Sequence, residues 1–254
     1  MIDLLIITGA SKGIGASIVT KCSDICKNMI LVSRSLDYTA WMNNQECNFF
    51  PLSLDLTNYH QVKEVISKVI SDYGQIGSLG IILCGAQIGE SGGLLSSDLD
   101  DWDRLYQCNV LGNLAIIQGC SELIKSGIKT RIVFFAGGGS GYNYEKFSGY
   151  ALSKVSVVRA VENFAEELKI INKDASIIAL APGAILTDLL SKVIANGGEI
   201  RTRTSIQEPT NFVYYFLEDQ FNSKELNGRF LHVRDNISSI DFSNSELFKL
   251  RRIQ

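Results

Sequence analysis

The 254-residue chain is long enough to bury a substantial core, and 46% hydrophobic residues fit a folded soluble domain. Its 24 Lys and Arg stand against 27 Asp and Glu, a formal charge of −3, which argues against a general nucleic-acid-binding role. Two His and six Cys without a C-x-x-C pair argue against a metal centre and point to the reducing cytosol. The opening "MIDLLIITGA" lacks a basic leader and is too short to span a bilayer, so it reads as a buried strand. The expected location is the cytoplasm, with no membrane partner.

Apolar bursts then alternate with longer helical patterns. The expected strands are Leu4–Thr8, Met29–Ser33, Asn48–Leu52, Leu79–Cys84, Arg131–Phe135, Ser176–Ala181 and Arg229–Val233. The middle ones are continuously apolar, as strands covered on both faces are. Helices are expected over Ile14–Cys26, Tyr59–Asp72, Asp101–Ser126, Tyr150–Asn172 and Glu208–Glu218, with a shorter one near Tyr38–Asn44. This alternation implies one α/β domain over residues 1–254, a doubly wound Rossmann fold on a parallel seven-stranded sheet. Right-handed crossovers put helices on both faces, and ligands belong beyond the carboxyl ends of the strands.

"TGASKGIG", Thr8 to Gly15, follows the first strand and opens a helix. In that context Gly9 makes the tight turn, Gly13 lets backbone approach a pyrophosphate, and Gly15 lets helix and strand pack closely. The phosphates would meet the free N–H groups of the helix start. The second strand ends "LVSRS", with no acid before Asp37. An acid at that tip would favour NAD(H) through the ribose hydroxyls. Arg34 instead offers a planar donor fork to a 2′-phosphate, and Lys12 can reach the same group. NADP(H) is therefore favoured, with NAD(H) possible should Asp37 reach back. Further along, Tyr150 and Lys154 are four residues apart and share a helix face. A neighbouring ammonium favours the phenolate and suits the pair to proton transfer.

These motifs together resemble the short-chain dehydrogenase/reductase family, and the resemblance runs through nearly the whole chain. Thr8, Gly9, Gly13 and Gly15 match its T-G-x-x-x-G-x-G, Tyr150 and Lys154 its Y-x-x-x-K, and Pro182 and Gly183 its post-strand P-G. The resemblance implies an oxidoreductase moving hydride between a nicotinamide and a carbonyl or hydroxyl carbon. Its implied catalytic residues are Tyr150, Lys154 and Asn109 of "CNVLG", with Ser140 a candidate hydroxyl. Asn109 would brace a water chain to Lys154, or only cap local backbone. The implied cofactor contacts are Gly9, Ser11, Lys12, Gly13, Ile14, Gly15, Arg34, Asp55, Leu56, Ala86, Tyr150, Lys154, Pro182, Gly183 and Thr187. Asp55 would face the adenine, or act as a loop cap. No metal is implied. The partners implied are a small carbonyl or alcohol substrate and further copies of the chain in a homodimer or homotetramer.

Two segments depart from the family pattern. The usual hydroxyl lies thirteen residues before the tyrosine, which here is Gly137, within Gly137–Gly138–Gly139. Ser140 is only ten residues before Tyr150, and Tyr142, Tyr144 and Ser148 are other nearby hydroxyls. Either glycine backbone and a displaced hydroxyl replace the missing donor, or the protein is a catalytically weak nucleotide-binding or assembly protein. The usual N-N-A-G is Cys84–Gly85–Ala86–Gln87, with Cys84 expected in the core. Residues 186–205 resemble a substrate lid containing a short helix. Arg201 and Arg203 there could meet an anionic substrate or be solvated. The tail "GRFLHVRDN", ending in "ELFKLRRIQ", joined to the triple glycine, resembles a subgroup of that family associated with sugar or cell-surface polysaccharide pathways, and this resemblance implies a sugar-related substrate.

Overall fold

The computed structural model describes residues 1–35, 46–198, 200, 203–244 and 246–250. The helix expected near Tyr38–Asn44, Asp37 and Arg201 lie outside the described residues. Seven strands, β1 Leu4–Thr8, β2 Asn28–Ser33, β3 Asn48–Ser53, β4 Ser78–Leu83, β5 Lys129–Phe135, β6 Ala175–Ala181 and β7 Phe230–His232, form one parallel sheet. Their order is β3-β2-β1-β4-β5-β6-β7, the doubly wound pattern. Every side chain of β1 and β6 is buried, as their unbroken apolar runs require. β3 alternates more and carries Pro51, which is tolerated because β3 is an edge strand.

Successive strand residues point to opposite faces. Leu4, Ile6, Ile30 and Val32 pack into one core with α2 (Tyr59–Ser71), α4 (Gly112–Gly119) and α6 (Ser148–Ile171). Leu5, Ile7, Met29 and Leu31 pack into the other with α1 (Gly13–Cys22) and α8 (Gln207–Leu217). The six cysteines are free; Cys84 is half-buried and the other five are buried.

Two expected helices are corrected. The first stops at Cys22, not Cys26, because Ile2 N–H donates to Ile25 O and Lys27 N–H to Ile2 O, drawing the chain back to the sheet. The helix expected over Asp101–Ser126 is divided into α3 (Leu99–Tyr106), a π-helical turn (Gln107–Leu111), α4 and α5 (Ser121–Lys125). The Asn113 side-chain amide donates to Cys108 O and Asn109 O, supporting the widened turn. A second short helix, α7 (Asp188–Ala195), falls inside the segment expected to carry one. α9 (Ser223–Leu226) precedes β7. The tail then folds back, and the Arg229 guanidinium donates to the carbonyls of Phe242, Asn244 and Leu247. Among the described residues no helix is long and apolar enough to cross a membrane.

Candidate active site

The carboxyl ends of β4, β5 and β6 open into a cleft of about 680 Å³, with Ile14 at the start of α1 on its wall. At its glycine-turn edge, Gly9 has φ +65°, and a Cβ on Gly15 would lie 2.3 Å from Gly9 O. Any side chain at 15 would push α1 off the turn. Gly13 faces the start of the post-β6 segment, where its Cβ would meet Thr187 Cγ2 at 3.3 Å. Lys12, on the same turn as Ser11, forms an ion pair with Asp188, and both side chains are exposed. Thr187 caps α7, its hydroxyl accepting from Leu190 N–H at 3.4 Å.

A buried polar network fixes this turn to the rest of the site. Thr8 Oγ1 donates to Asn113 Oδ1 at 2.8 Å and accepts from Gly85 N–H at 2.9 Å. Asn113 Nδ2 donates to Gly85 O at 2.8 Å. Asn109 is buried in the π-helical turn. Its Oδ1 accepts from Gln87 N–H at 2.7 Å, and its Nδ2 donates to Gln87 O and Ser153 Oγ. The Asn109 side chain thus ties the Gln87 backbone to Ser153. Asn113 and Ser153 were missed from the sequence, because no spacing marks a buried amide that only tertiary contacts engage.

Tyr150 and Lys154 both line the cleft from α6 and are buried. The Lys154 ammonium lies 5.7 Å from the Tyr150 ring centroid and donates to Phe135 O at 2.8 Å. Burial pulls its pKa down to about 8. Burial also raises the Tyr150 phenol above its ordinary value, with Tyr144 and Tyr142 adding to the rise. The sequence-based expectation was a lowered phenol. Desolvation dominates here, and the Lys154 ammonium directs its hydrogen bond to Phe135 O.

Gly137 lines the cleft directly beside the tyrosine; a Cβ there would stand 2.6 Å from Tyr150 Oη. Ser140 is buried, and its Oγ accepts from Gly137 N–H at 3.2 Å. The serine therefore braces the glycine turn and engages the Gly137 N–H, one of the backbone donors of the triple glycine. Tyr142 and Tyr144 do line the cleft.

The remaining sequence-predicted contacts spread along the strand ends. Arg34 is exposed at the tip of β2, and Leu56 is buried. Asp55 Oδ1 accepts from both the N–H and the hydroxyl of Thr57 at 2.9 Å, so the carboxylate makes a loop cap. Ala86, Pro182 and Gly183 line the cleft, as does Cys84, whose thiol pKa burial raises. Arg203 is exposed, and its carbonyl accepts from the Arg234 guanidinium. His232 also lines the cleft, a position that its place in a strand pattern did not reveal.

These features fit a nicotinamide dinucleotide. The turn keeps side chains away from the helix start, and Tyr150 and Lys154 stand in the same cleft as Ile14 and Thr187. The family model for short chain dehydrogenases matches residues 3–197. The 7alpha-hydroxysteroid dehydrogenase of Bacteroides fragilis is 26% identical over 197 residues, covering 72% of each chain. The structure of YwfH, an NADPH dependent reductase involved in bacilysin biosynthesis, superposes with a TM-score of 0.79 at 17% identity, over 95% of this chain and all of that one. NAD⁺-bound xylitol dehydrogenase superposes with a TM-score of 0.75, also at 17% identity, over 91% of this chain and 96% of that one. The chain belongs to the short-chain dehydrogenase family, nicotinamide-dependent oxidoreductases acting at carbonyl and hydroxyl carbons.

Proposed function

We propose that this protein is an NADP(H)-dependent reductase of a small, hydroxylated carbonyl compound, sugar-related in its polarity. The observation that carries the reading is the Tyr150–Lys154 pair, buried side by side in the cleft that opens beside the glycine turn. When bound, the nicotinamide supplies or accepts the hydride. Tyr150 Oη gives its proton to the substrate oxygen in reduction. The burial that raises its pKa keeps the phenol protonated, the state reduction consumes. Lys154 places positive charge under the phenolate left behind, and Asn109 holds Gln87 and Ser153 in place beside it.

The glycine turn and Thr187 would hold the dinucleotide, with Arg34 supplying a donor fork to a 2′-phosphate. Lys12 is paired with Asp188, so it would reach that phosphate only by leaving its partner. Residues 186–205 act as the substrate lid, with Leu189, Leu190 and Val193 presenting an apolar inner wall to the cleft. Tyr144, His232 and Asp235 give polar groups on the remaining wall, which suits a hydroxylated substrate. Exposed Leu152 and Val155 on α6, with Leu99 and Tyr106 on α3, favour pairing of two copies through these helices.

The test is NADPH and NADH binding followed by turnover across a panel of aldehydes, ketoses and diketones. At least one carbonyl is expected to drive NADPH oxidation. Y150F is expected to lose it by more than about a hundredfold while retaining NADPH affinity. Cofactor binding with no turnover across the panel would make the protein a nucleotide-binding shell.

A further inference from the structure

The triple glycine has a structural occupant. A Cβ on Gly138 would lie 3.2 Å from Tyr144 Cε1 and 3.3 Å from Tyr142 Oη. One on Gly139 would meet Ala151 Cβ first, at 2.4 Å, and Tyr144 Cβ at 3.3 Å. Together with the Gly137 position against Tyr150 Oη, two successive residues without side chains leave room for three phenols at one turn. Tyr144 is the better held of the two additional rings. It is half-buried, packs on Phe147 at 5.1 Å between centroids and meets Tyr142 edge-on at 6.2 Å. Its carbonyl accepts from Phe147 N–H at 2.9 Å, fixing the backbone where α6 begins. It also belongs to the small apolar cluster that includes Tyr150, Ile88 and Val193. Tyr142 is 46% exposed by comparison.

We propose that Tyr144 is a catalytic residue whose hydroxyl donates the hydrogen bond to the substrate oxygen that a side chain at position 137 would otherwise give. This rests on the reductase reading above. Ser140 accepts from Gly137 N–H from behind the cleft wall and does not line the cleft, while Tyr144 lines it with Tyr150. A phenol carries one O–H donor, which it presents to an oxygen as negative charge develops there. Tyr144 transfers no proton. The proton added to the substrate oxygen is Tyr150's, and Tyr144 keeps its own throughout. Burial raises the Tyr144 phenol above its ordinary value, so the donor stays protonated at neutral pH. The glycine run is then the seat of a relocated donor, and the hydroxyl missing at position 137 has been moved rather than lost.

Y144F tests this with the best substrate from the carbonyl panel. Phenylalanine keeps the ring contacts with Phe147 and Tyr142 and removes only the hydroxyl. The expected result is a fall in kcat of about a hundredfold, the scale of losing one oxyanion donor. KM and NADPH affinity, the latter read by fluorescence titration, should stay within about threefold, and the melting temperature should be unchanged. A kcat within threefold of wild type overturns the proposal. A parallel loss of NADPH affinity or melting temperature also overturns it, by making the ring a structural support. Y142F run alongside is expected to lose less than Y144F; a larger loss in Y142F moves the donor to Tyr142 and overturns the assignment. If wild type itself reduces nothing in the panel, the reductase reading fails and this proposal falls with it.

Discussion

Replacing Lys154 by methionine separates the cost of the buried ammonium from the catalytic role proposed for it. Lys154 is 2% exposed, and burial lowers its pKa from 10.5 to about 8. That displacement penalises the charged form by roughly 3 kcal/mol in the fold relative to the unfolded chain. Between the two values the unfolded chain binds the proton and the folded chain does not. The contribution of this group to stability therefore rises with pH from about 8 to 10.5. Below that window the full penalty is present, and above it there is none. Methionine keeps most of the stem and carries no charge. It also strips Phe135 O of the donor now at 2.8 Å, at a cost of about 1–3 kcal/mol. Near pH 7 the two effects leave K154M equal to wild type or more stable by up to about 2 kcal/mol. The decisive quantity is the difference between the two proteins as pH changes. It should shift by roughly 3 kcal/mol in favour of wild type between pH 7 and pH 10.5. Urea unfolding of both proteins at half-unit pH steps measures it. A difference that is flat across that range refutes the argument that the fold holds this lysine charged at a cost.

N113A should destabilise by about 2–4 kcal/mol, because Thr8 Oγ1, Gly85 O and the carbonyls of the π-helical turn lose a shared buried partner. Thermal or urea unfolding reads this, and a loss under 1 kcal/mol would mean water replaces the amide. R34E should weaken NADPH about tenfold or more and leave NADH nearly unchanged, since only the former carries the 2′-phosphate. Equal losses for the two cofactors in fluorescence titration would remove Arg34 from the specificity argument.

Much of the fold was legible because burial on both faces leaves a plain mark. Unbroken runs such as "LLIIT" and "SIIALA" have no exposed face to alternate with. The glycine turn was legible for a similar reason: only a residue without Cβ fits 2.3 Å from Gly9 O. The division of the helix expected over Asp101–Ser126 was not legible, because apolar spacing continues across it. What supports the π-helical turn there is an amide bonded to two carbonyls, which becomes visible only once the chain is folded.

The sequence by itself determined the doubly wound class, the strand positions, the turn beside α1 and the Tyr150–Lys154 spacing. These follow from local geometry and from the period of the pattern. Only the tertiary structure decided what each polar group does. It turned Ser140 toward Gly137 N–H, gave Lys12 an ion pair with Asp188, capped Thr57 with Asp55 and set tyrosine side chains against Gly137 and Gly138. A hydrogen bond depends on which atoms distant segments bring within about 3 Å, and residue spacing along a chain does not carry that distance.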